Sequence, residues 1–500
     1  LPLRLAKAAL GRPLAIADPY RGALLASVKA RPTVAAQPIA DSPNLSVSNL
    51  SVSQRVKLFR EAGDTEGEYE FIKEEVDQRP TEGVLRALYW SSIKAEKFET
   101  AFQAIQRLEE FIGPSPTPDQ AKRLDQLRSG PGMNLASLAA IPARAALSYE
   151  PVRGRIAYVL HNSLPYSSGG YATRAHGLMT AANASGLDPV CITRPGYPIE
   201  LKPELEPSQI DTEQQIDSIR NLRLLEPSYQ SGTGLVKYTQ DAAEALIKVF
   251  REEKPECVIA ASAYRSALPA LIAARSLGLP FVYEVRGFWE VTRISREPEY
   301  EHTAGFKVIR KIESEVAKGA DKVLTLTTPM KDELVSRGVP AEQIILAPNS
   351  CDIDKFTPRE RDQALAARLN IPVHVLVIGY IGTFVQYEGL EHLTEACALL
   401  KERGLEFRLL LVGNENASGT DRGPITEEIM ETAEKAGIAD WLIMPGRIPH
   451  EEVASYYSLI DIAPFPRKPQ PVTEMVSPMK PLEAMAMKKA VVVSSVRALE

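Results

Sequence analysis

The chain has 500 residues, about three domains' worth at roughly 150 residues each. Apolar residues make up 44% and charged residues 24%, with a net charge of −6. These values exclude a collagen, a wholly disordered chain and a disulfide scaffold, and argue against wholesale electrostatic binding of nucleic acid. Cys191, Cys257, Cys351 and Cys397 are widely spaced and form no CxxC. The pattern suggests no zinc knuckle and reads as a reduced, cytoplasmic protein. No run approaches the ~18 apolar residues of a membrane-spanning helix.

Residues 1–53 carry little pattern. Arg4, Lys7 and Arg12 precede the first acid, Asp18. That start fits a targeting or peripheral membrane-surface arm, or a poorly ordered terminus. Pro, Ser, Asn and Ala then dominate 32–53, as in a linker. The chain opens on Leu1 and stops soon after the apolar run 490–493, so a longer natural chain, with its last domain truncated here, is expected.

Residues 54–130 have helical periodicity. Val56 and Phe59 share a face, as do Tyr69, Ile72 and Val76, then Leu85, Leu88, Tyr89 and Ile93, then Phe98, Phe102, Ile105, Leu108 and Phe111. Short paired helices of this kind resemble the tetratricopeptide class, although no full 34-residue repeat is clear. Such a region is either a docking module for a protein partner or a plain helical packing domain.

Residues 131–153 read as a second linker. From Arg155 apolar runs alternate with amphipathic stretches, the signature of parallel α/β sheets. Strands are expected at 155–161, 189–193, 257–261, 281–285 and 322–326, then at 374–381, 407–412, 441–444, 460–463 and 490–493. Helices fit at 171–185, 241–252, 266–277, 302–318 and 388–403. Two series mean two Rossmann-like domains, 154–350 and 351–500, facing across a cleft lined by the carboxyl ends of their strands.

Five segments carry candidate chemistry. In His161-Asn162-Ser163-Leu164-Pro165-Tyr166-Ser167-Ser168-Gly169-Gly170-Tyr171, the glycine pair precedes a helix whose free N–H groups suit an anion, though an ordinary βα turn reads the same way. Glu284 and Arg286 end a strand, where Arg286 is either a fork for a phosphate or half of a structural ion pair. Pro348-Asn349-Ser350-Cys351-Asp352 is a turn between domains. Gly382 and Thr383 follow a strand and precede a helix. Finally, Glu474, Ser477, Pro478, Lys480 and Glu483 follow the 460–463 strand. Ser477-Pro478 suits a helix start, Lys480 a diphosphate, and Glu483, three residues on, the vicinal hydroxyls of a ribose.

Taken together, the Ser168-Gly169-Gly170-Tyr171 loop, the Pro348–Asp352 hinge and Ser477-Pro478-Met479-Lys480-Pro481-Leu482-Glu483-Ala484-Met485-Ala486 resemble the retaining GT-B glycosyltransferases of family 4. The resemblance covers about 155–500. It implies that a nucleoside-diphosphate sugar binds mainly to the C-terminal domain; no metal or further cofactor is expected, since helix N-termini and Lys480 would stabilise the leaving diphosphate and no His cluster stands in the sequence. It also implies that Glu483 holds the ribose, that the loop from Glu474 to Ser477 meets the sugar and diphosphate, and that Gly169 and Gly170 approach from the other side.

Three departures stand out. The usual E-x7-E spacing becomes E-x8-E between Glu474 and Glu483. No Lys or Arg lies between Leu369 and Leu400, where relatives often carry an Arg and a Lys, so the cation must come from Lys480, Arg447, Arg286, Arg467 or Lys468. No segment after Glu500 supplies the helix that usually crosses back. The expected reaction is retaining sugar transfer to the hydroxyl of a glycan or lipid-linked acceptor, with His161 or Glu284 as base candidates. A nucleotide-sugar epimerase of the same plan and a catalytically inactive transferase-like adaptor are the alternatives.

Overall fold

The computed structural model describes residues 50–128, 130–167, 169–228, 234–415 and 423–500. The expectations for 1–49 and for Ser168 lie outside these residues. Two compact units divide the chain, one ending at Leu135 and one running from Ala136.

The first unit is a run of helices: α1 (Val52–Glu61), α2 (Thr65–Gln78), α3 (Glu82–Lys94), α4 (Phe98–Ile112) and α5 (Pro118–Arg128). Ser51 starts α1, where its hydroxyl accepts from the Gln54 N–H and the Gln54 side chain accepts from the Ser51 N–H in return. This reciprocal cap places the first helix two residues before the expected boundary at 54. Asp64 and Thr81 cap α2 and α3 one way only, accepting from the Gly67 and Val84 N–H groups. The apolar faces read from 56–93 are all buried. In α4 the face is rotated: Ala101, Ala104, Ile105 and Leu108 are buried, whereas Phe111 is half exposed. Small alanines let the neighbouring helix approach closely, and the bulkier phenylalanines are left at the rim.

The second unit holds two parallel sheets. The first has eight strands in the order β3-β4-β2-β1-β5-β6-β7-β8. They are β1 (Arg155–Leu160), β2 (Asp188–Thr193), β3 (Glu213–Ile216), β4 (Ile219–Leu222), β5 (Cys257–Ala261), β6 (Phe281–Val285), β7 (Lys322–Thr325) and β8 (Ile344–Leu346). The second sheet runs β11-β10-β9-β12-β13, made of β9 (Leu376–Ile381), β10 (Phe407–Val412), β11 (Leu442–Gly446), β12 (Ile462–Phe465) and β13 (Ala490–Val493). Among the described residues only β3 runs antiparallel to its neighbour. Central strands such as β1, β5 and β10 are buried on both faces, which is why they read as continuous apolar runs.

The helices that matter for the site are α6 (Gly170–Ala184), α7 (Leu235–Glu253), α8 (Tyr264–Leu277), α9 (Trp289–Ile294), α10 (Ala304–Gly319), α11 (Thr328–Ser336), α12 (Leu390–Glu402), α13 (Val453–Leu459), α14 (Pro471–Met475) and α15 (Lys480–Ala486).

Part of the segment read as a second linker is tied down. The Ala145, Ser148 and Val152 N–H groups donate to Arg275, Leu277 and Lys254 carbonyls, and Arg144 pairs with Asp321 at 2.9 Å. Gly278, at φ +79°, is required where this strap crosses the end of α8, since a Cβ there would lie 2.6 Å from Ala146. No helix among the described residues is long and apolar enough to cross a membrane.

Candidate functional site

Both sheets reverse strand order beside their central strand, at β1/β5 and at β9/β12. Ligands of open α/β sheets bind at the carboxyl ends beside such points. In the first sheet those ends carry His161, Glu284 and Arg286; in the second, Gly382, Thr383 and the segment 466–483.

Glu284 is the hub of the first group. Its Oε1 accepts from Arg174 Nε at 3.1 Å, and its Oε2 from Arg286 Nε at 2.8 Å and from the Tyr158 hydroxyl. All four side chains are buried. Burial pushes the Glu284 carboxyl up, but Arg286 and Arg174 outweigh it and hold it below the usual carboxylate range. Arg286 also donates from Nη1 to the Tyr171 carbonyl at 2.7 Å and from Nη2 to Tyr158. It is 3% exposed, so the structural ion pair is the arrangement found, and the expected phosphate fork is not presented to the cleft. Glu284 is thereby committed as well, which removes it as a base.

His161 is corrected on different grounds. Burial, then Arg194 and Arg265, lowers its imidazole to about 3. Arg194 Nε stands 3.1 Å from Nδ1. A guanidinium only donates, so Nδ1 accepts and the ring proton sits on Nε2. His161 is a neutral hydrogen-bond donor, with its ring edge-on to Trp289 at 4.7 Å.

Gly169 caps α6 in an extended conformation (φ −70°, ψ 166°) with no side-chain cap, and both glycines are exposed. A Cβ added at Gly169 would meet nothing within 4 Å; at Gly170 it would meet Met479 Sδ at 4.0 Å. The start of this 15-residue helix is thus exposed and stands beside the segment that leads to Lys480.

That segment departs from expectation in one respect. α15 begins at Lys480 after Met479, so Ser477-Pro478 is not the helix start. Instead the Ser477 carbonyl and hydroxyl accept from Asn349 Nδ2 at 2.7 and 3.4 Å. Lys480 crosses Gly382: a Cβ there would overlap the Lys480 side chain. The ammonium stands 3.5 Å from Glu388 Oε1 and 5.3 Å from the centre of the Tyr380 ring, and its side chain is 24% exposed.

Glu483 lies on the next turn, half-buried, and accepts from the Tyr457 hydroxyl at 3.3 Å. Burial pushes its carboxyl up, and Lys480, Tyr457 and Lys355 pull it only part of the way back. Glu474, on α14, accepts at Oε2 from the Arg497 N–H at 3.0 Å. Thr383 is exposed, and its carbonyl accepts from Tyr380 at 3.2 Å.

The cations sort by geometry. Arg467 is 4% exposed, donates to the Val476 carbonyl at 2.7 Å and lies 3.6 Å from Glu388. Lys468 is paired with Glu391. Arg447 is exposed beyond the end of β11, at the sheet's edge. Lys480 combines partial exposure with a loose ion pair beside the open helix start.

Residues 169–350 match the family model of the glycosyl transferase 4-like domain, and residues 375–500 that of the glycosyl transferases group 1. The chain belongs to the family 4, group 1 glycosyltransferases. Within this glycosyltransferase family it is similar to the D-inositol 3-phosphate glycosyltransferase of Corynebacterium urealyticum, 32% identical over 160 residues, covering 31% of this chain and 37% of that one. The 2-deoxystreptamine glucosyltransferase of Streptomyces kanamyceticus is 24% identical over 204 residues, covering 39% and 49%. The chain thus spans less than half the length of either relative.

Among solved structures, sucrose-phosphate synthase from Thermosynechococcus elongatus aligns with a TM-score of 0.54 at 20% identity, over 70% of this chain and 83% of that one. The catalytic domain of starch synthase IV from Arabidopsis thaliana aligns at 0.51 and 13% identity, over 71% and 84%. These likenesses show the GT-B fold. Neither family model favours the epimerase alternative.

Sequence reasoning missed Arg174, Tyr158, Glu388 and Tyr457. Arg174 read as one more polar residue of an amphipathic helix. Its only signal was its position one turn after the glycine pair, on the turn that faces the strand ends.

Proposed function

We propose that this glycosyltransferase family member moves a sugar from a nucleoside diphosphate to an acceptor hydroxyl of a glycan or lipid-linked saccharide, with retention at the anomeric carbon. The observation that carries the reading is the exposed Gly169–Gly170 helix start standing beside Met479, with Lys480 next in the chain and Glu483 one turn on. In this reading the donor diphosphate lies against the N–H groups of α6 and the Lys480 ammonium. Both favour the negative charge that grows on the leaving group, which is electrostatic catalysis in a pre-built site. The Glu483 carboxylate accepts from the two ribose hydroxyls, a pair of donors that suits one two-oxygen acceptor. The starch synthase IV structure is described as bound to ADP and acarbose, which supports a nucleoside diphosphate as the ligand class. Retention and the acceptor class rest on the family resemblance.

The experiment is a donor screen with UDP-, GDP- and ADP-sugars and a panel of saccharide acceptors, with the anomeric configuration of the first-formed product read by NMR. Transfer with retention supports the reading. Nucleotide-sugar turnover to an epimer without acceptor, or inversion, contradicts it.

A further inference from the structure

Arg174 is 7% exposed and commits its guanidinium to two separate parts of the chain. Nε and Nη2 face Glu284 Oε1 at 3.1 and 3.0 Å, at the end of β6. Nη2 also donates to the Ala347 carbonyl at 2.9 Å, and Nη1 to the Pro348 carbonyl at 3.1 Å and to Asn349 Oδ1 at 3.0 Å. Those three residues are the crossing between the two sheets. Asn349 then carries the connection onward through Nδ2 to the Ser477 carbonyl. Its amide can stand only one way round, because the guanidinium only donates and the carbonyl only accepts. On its own helix Arg174 lies one turn after Gly170, and Arg286, held by the same Glu284, grips the Tyr171 carbonyl of that first turn.

We propose that Arg174 is a positioning residue that fixes the Gly169–Gly170 helix start relative to the Ser477–Glu483 segment through Asn349. The inference deepens the transferase reading, on which its kinetic consequence rests. A planar fork with five N–H groups can hold a carboxylate, two carbonyls and an amide at once; an ammonium cannot. Arg174→Lys therefore keeps a positive charge beside Glu284 and loses the geometry. A residue that merely neutralises Glu284 would be rescued by lysine, whereas a positioning residue would not.

The test is hydrogen–deuterium exchange by mass spectrometry on the full chain, comparing native protein, Arg174→Lys and Asn349→Ala without ligand. Arg174→Lys should speed exchange roughly tenfold both at 347–354 and at 471–483, with 407–412 unchanged. Asn349→Ala, which leaves the Arg174–Glu284 pair intact, should speed 471–483 without speeding 281–286, and it decides the matter if the lysine variant does not fold. Acceleration confined to 155–185 and 281–286 in the first variant, or no change at 471–483 in the second, would overturn the proposal.

With an active donor, Arg174→Lys should lower kcat about tenfold while changing donor KM less than about twofold, since the Lys480 and Glu483 contacts are kept and the displaced helix start meets the diphosphate most strongly as its charge grows in the transition state. Equal kcat would also overturn it. Absence of any turnover by the native chain would instead count against the transferase reading, while the exchange measurement would still decide the coupling.

Discussion

The Lys480 ammonium stands 3.5 Å from Glu388 Oε1, while its neighbours Arg467 and Lys468 are drawn into tighter contacts. Arg467 shares the same carboxylate at 3.6 Å but is spent on the Val476 carbonyl. Lys480 therefore has the loosest commitment where a diphosphate would need charge.

Its replacement should act on the transition state more than on the bound donor. Lys480→Ala is expected to lower kcat by about 10²–10³ and to weaken donor binding less than about tenfold. Steady-state kinetics and calorimetry with the same donor check the split. Unchanged turnover would remove Lys480 from the reaction.

Gly382→Ala reaches the same ammonium from beneath. The new Cβ would overlap the lysine side chain, which must swing away from its seat over Tyr380. The expected outcome is a folded protein whose turnover falls toward that of Lys480→Ala. Full activity in a folded alanine variant would show that the seat of Lys480 is unimportant.

Tyr457→Phe removes one donor from Glu483 without removing the carboxylate. A net hydrogen bond of this kind is worth about 1 kcal/mol, so nucleotide affinity should fall about two- to tenfold. Titration of the variant with the preferred nucleoside diphosphate measures it.

A fourth expectation concerns stability away from the cleft. Glu313 is buried under Tyr283 and the Tyr264 N–H; burial, with Glu290 nearby, raises its carboxyl to about 7 from 4.5. The folded state therefore holds a proton that the unfolded state has released, and stability falls as pH rises from 4.5 through 7. The full effect is roughly 3 kcal/mol. Glu313→Gln has no carboxyl to titrate, so it should lose about that much less stability than the native chain between pH 4 and pH 8, measured by denaturant unfolding. Parallel pH profiles would contradict it.

Much of the fold was legible because parallel strands buried on both faces leave apolar runs, as in Arg155–Leu160 and Phe407–Val412. The hairpin β3–β4 was not, because Glu213–Ile216 and Ile219–Leu222 are half polar and lie at a sheet edge. β8 has only three residues, Ile344–Leu346, two of them exposed. In the site, residue type and spacing drew attention to Lys480 and Glu483. They could not reveal that Arg286 turns inward to Tyr171 and Tyr158, because partners 115 and 128 residues away in sequence leave no local pattern. The same limit hid Arg174. It also moved the helix start: Ser477 reads as a cap, but its carbonyl and hydroxyl are taken by Asn349 from the other side of the crossing.

The most direct measurement is calorimetric titration of the native chain and Glu483→Ala with UDP, GDP and ADP. The account predicts that one of these nucleotides binds the native chain and that Glu483→Ala weakens it by about 10²-fold or more, as loss of a charged acceptor for two hydroxyls requires. No binding of any of the three, or equal affinity in the variant, would contradict the placement of a nucleoside-diphosphate donor at this site.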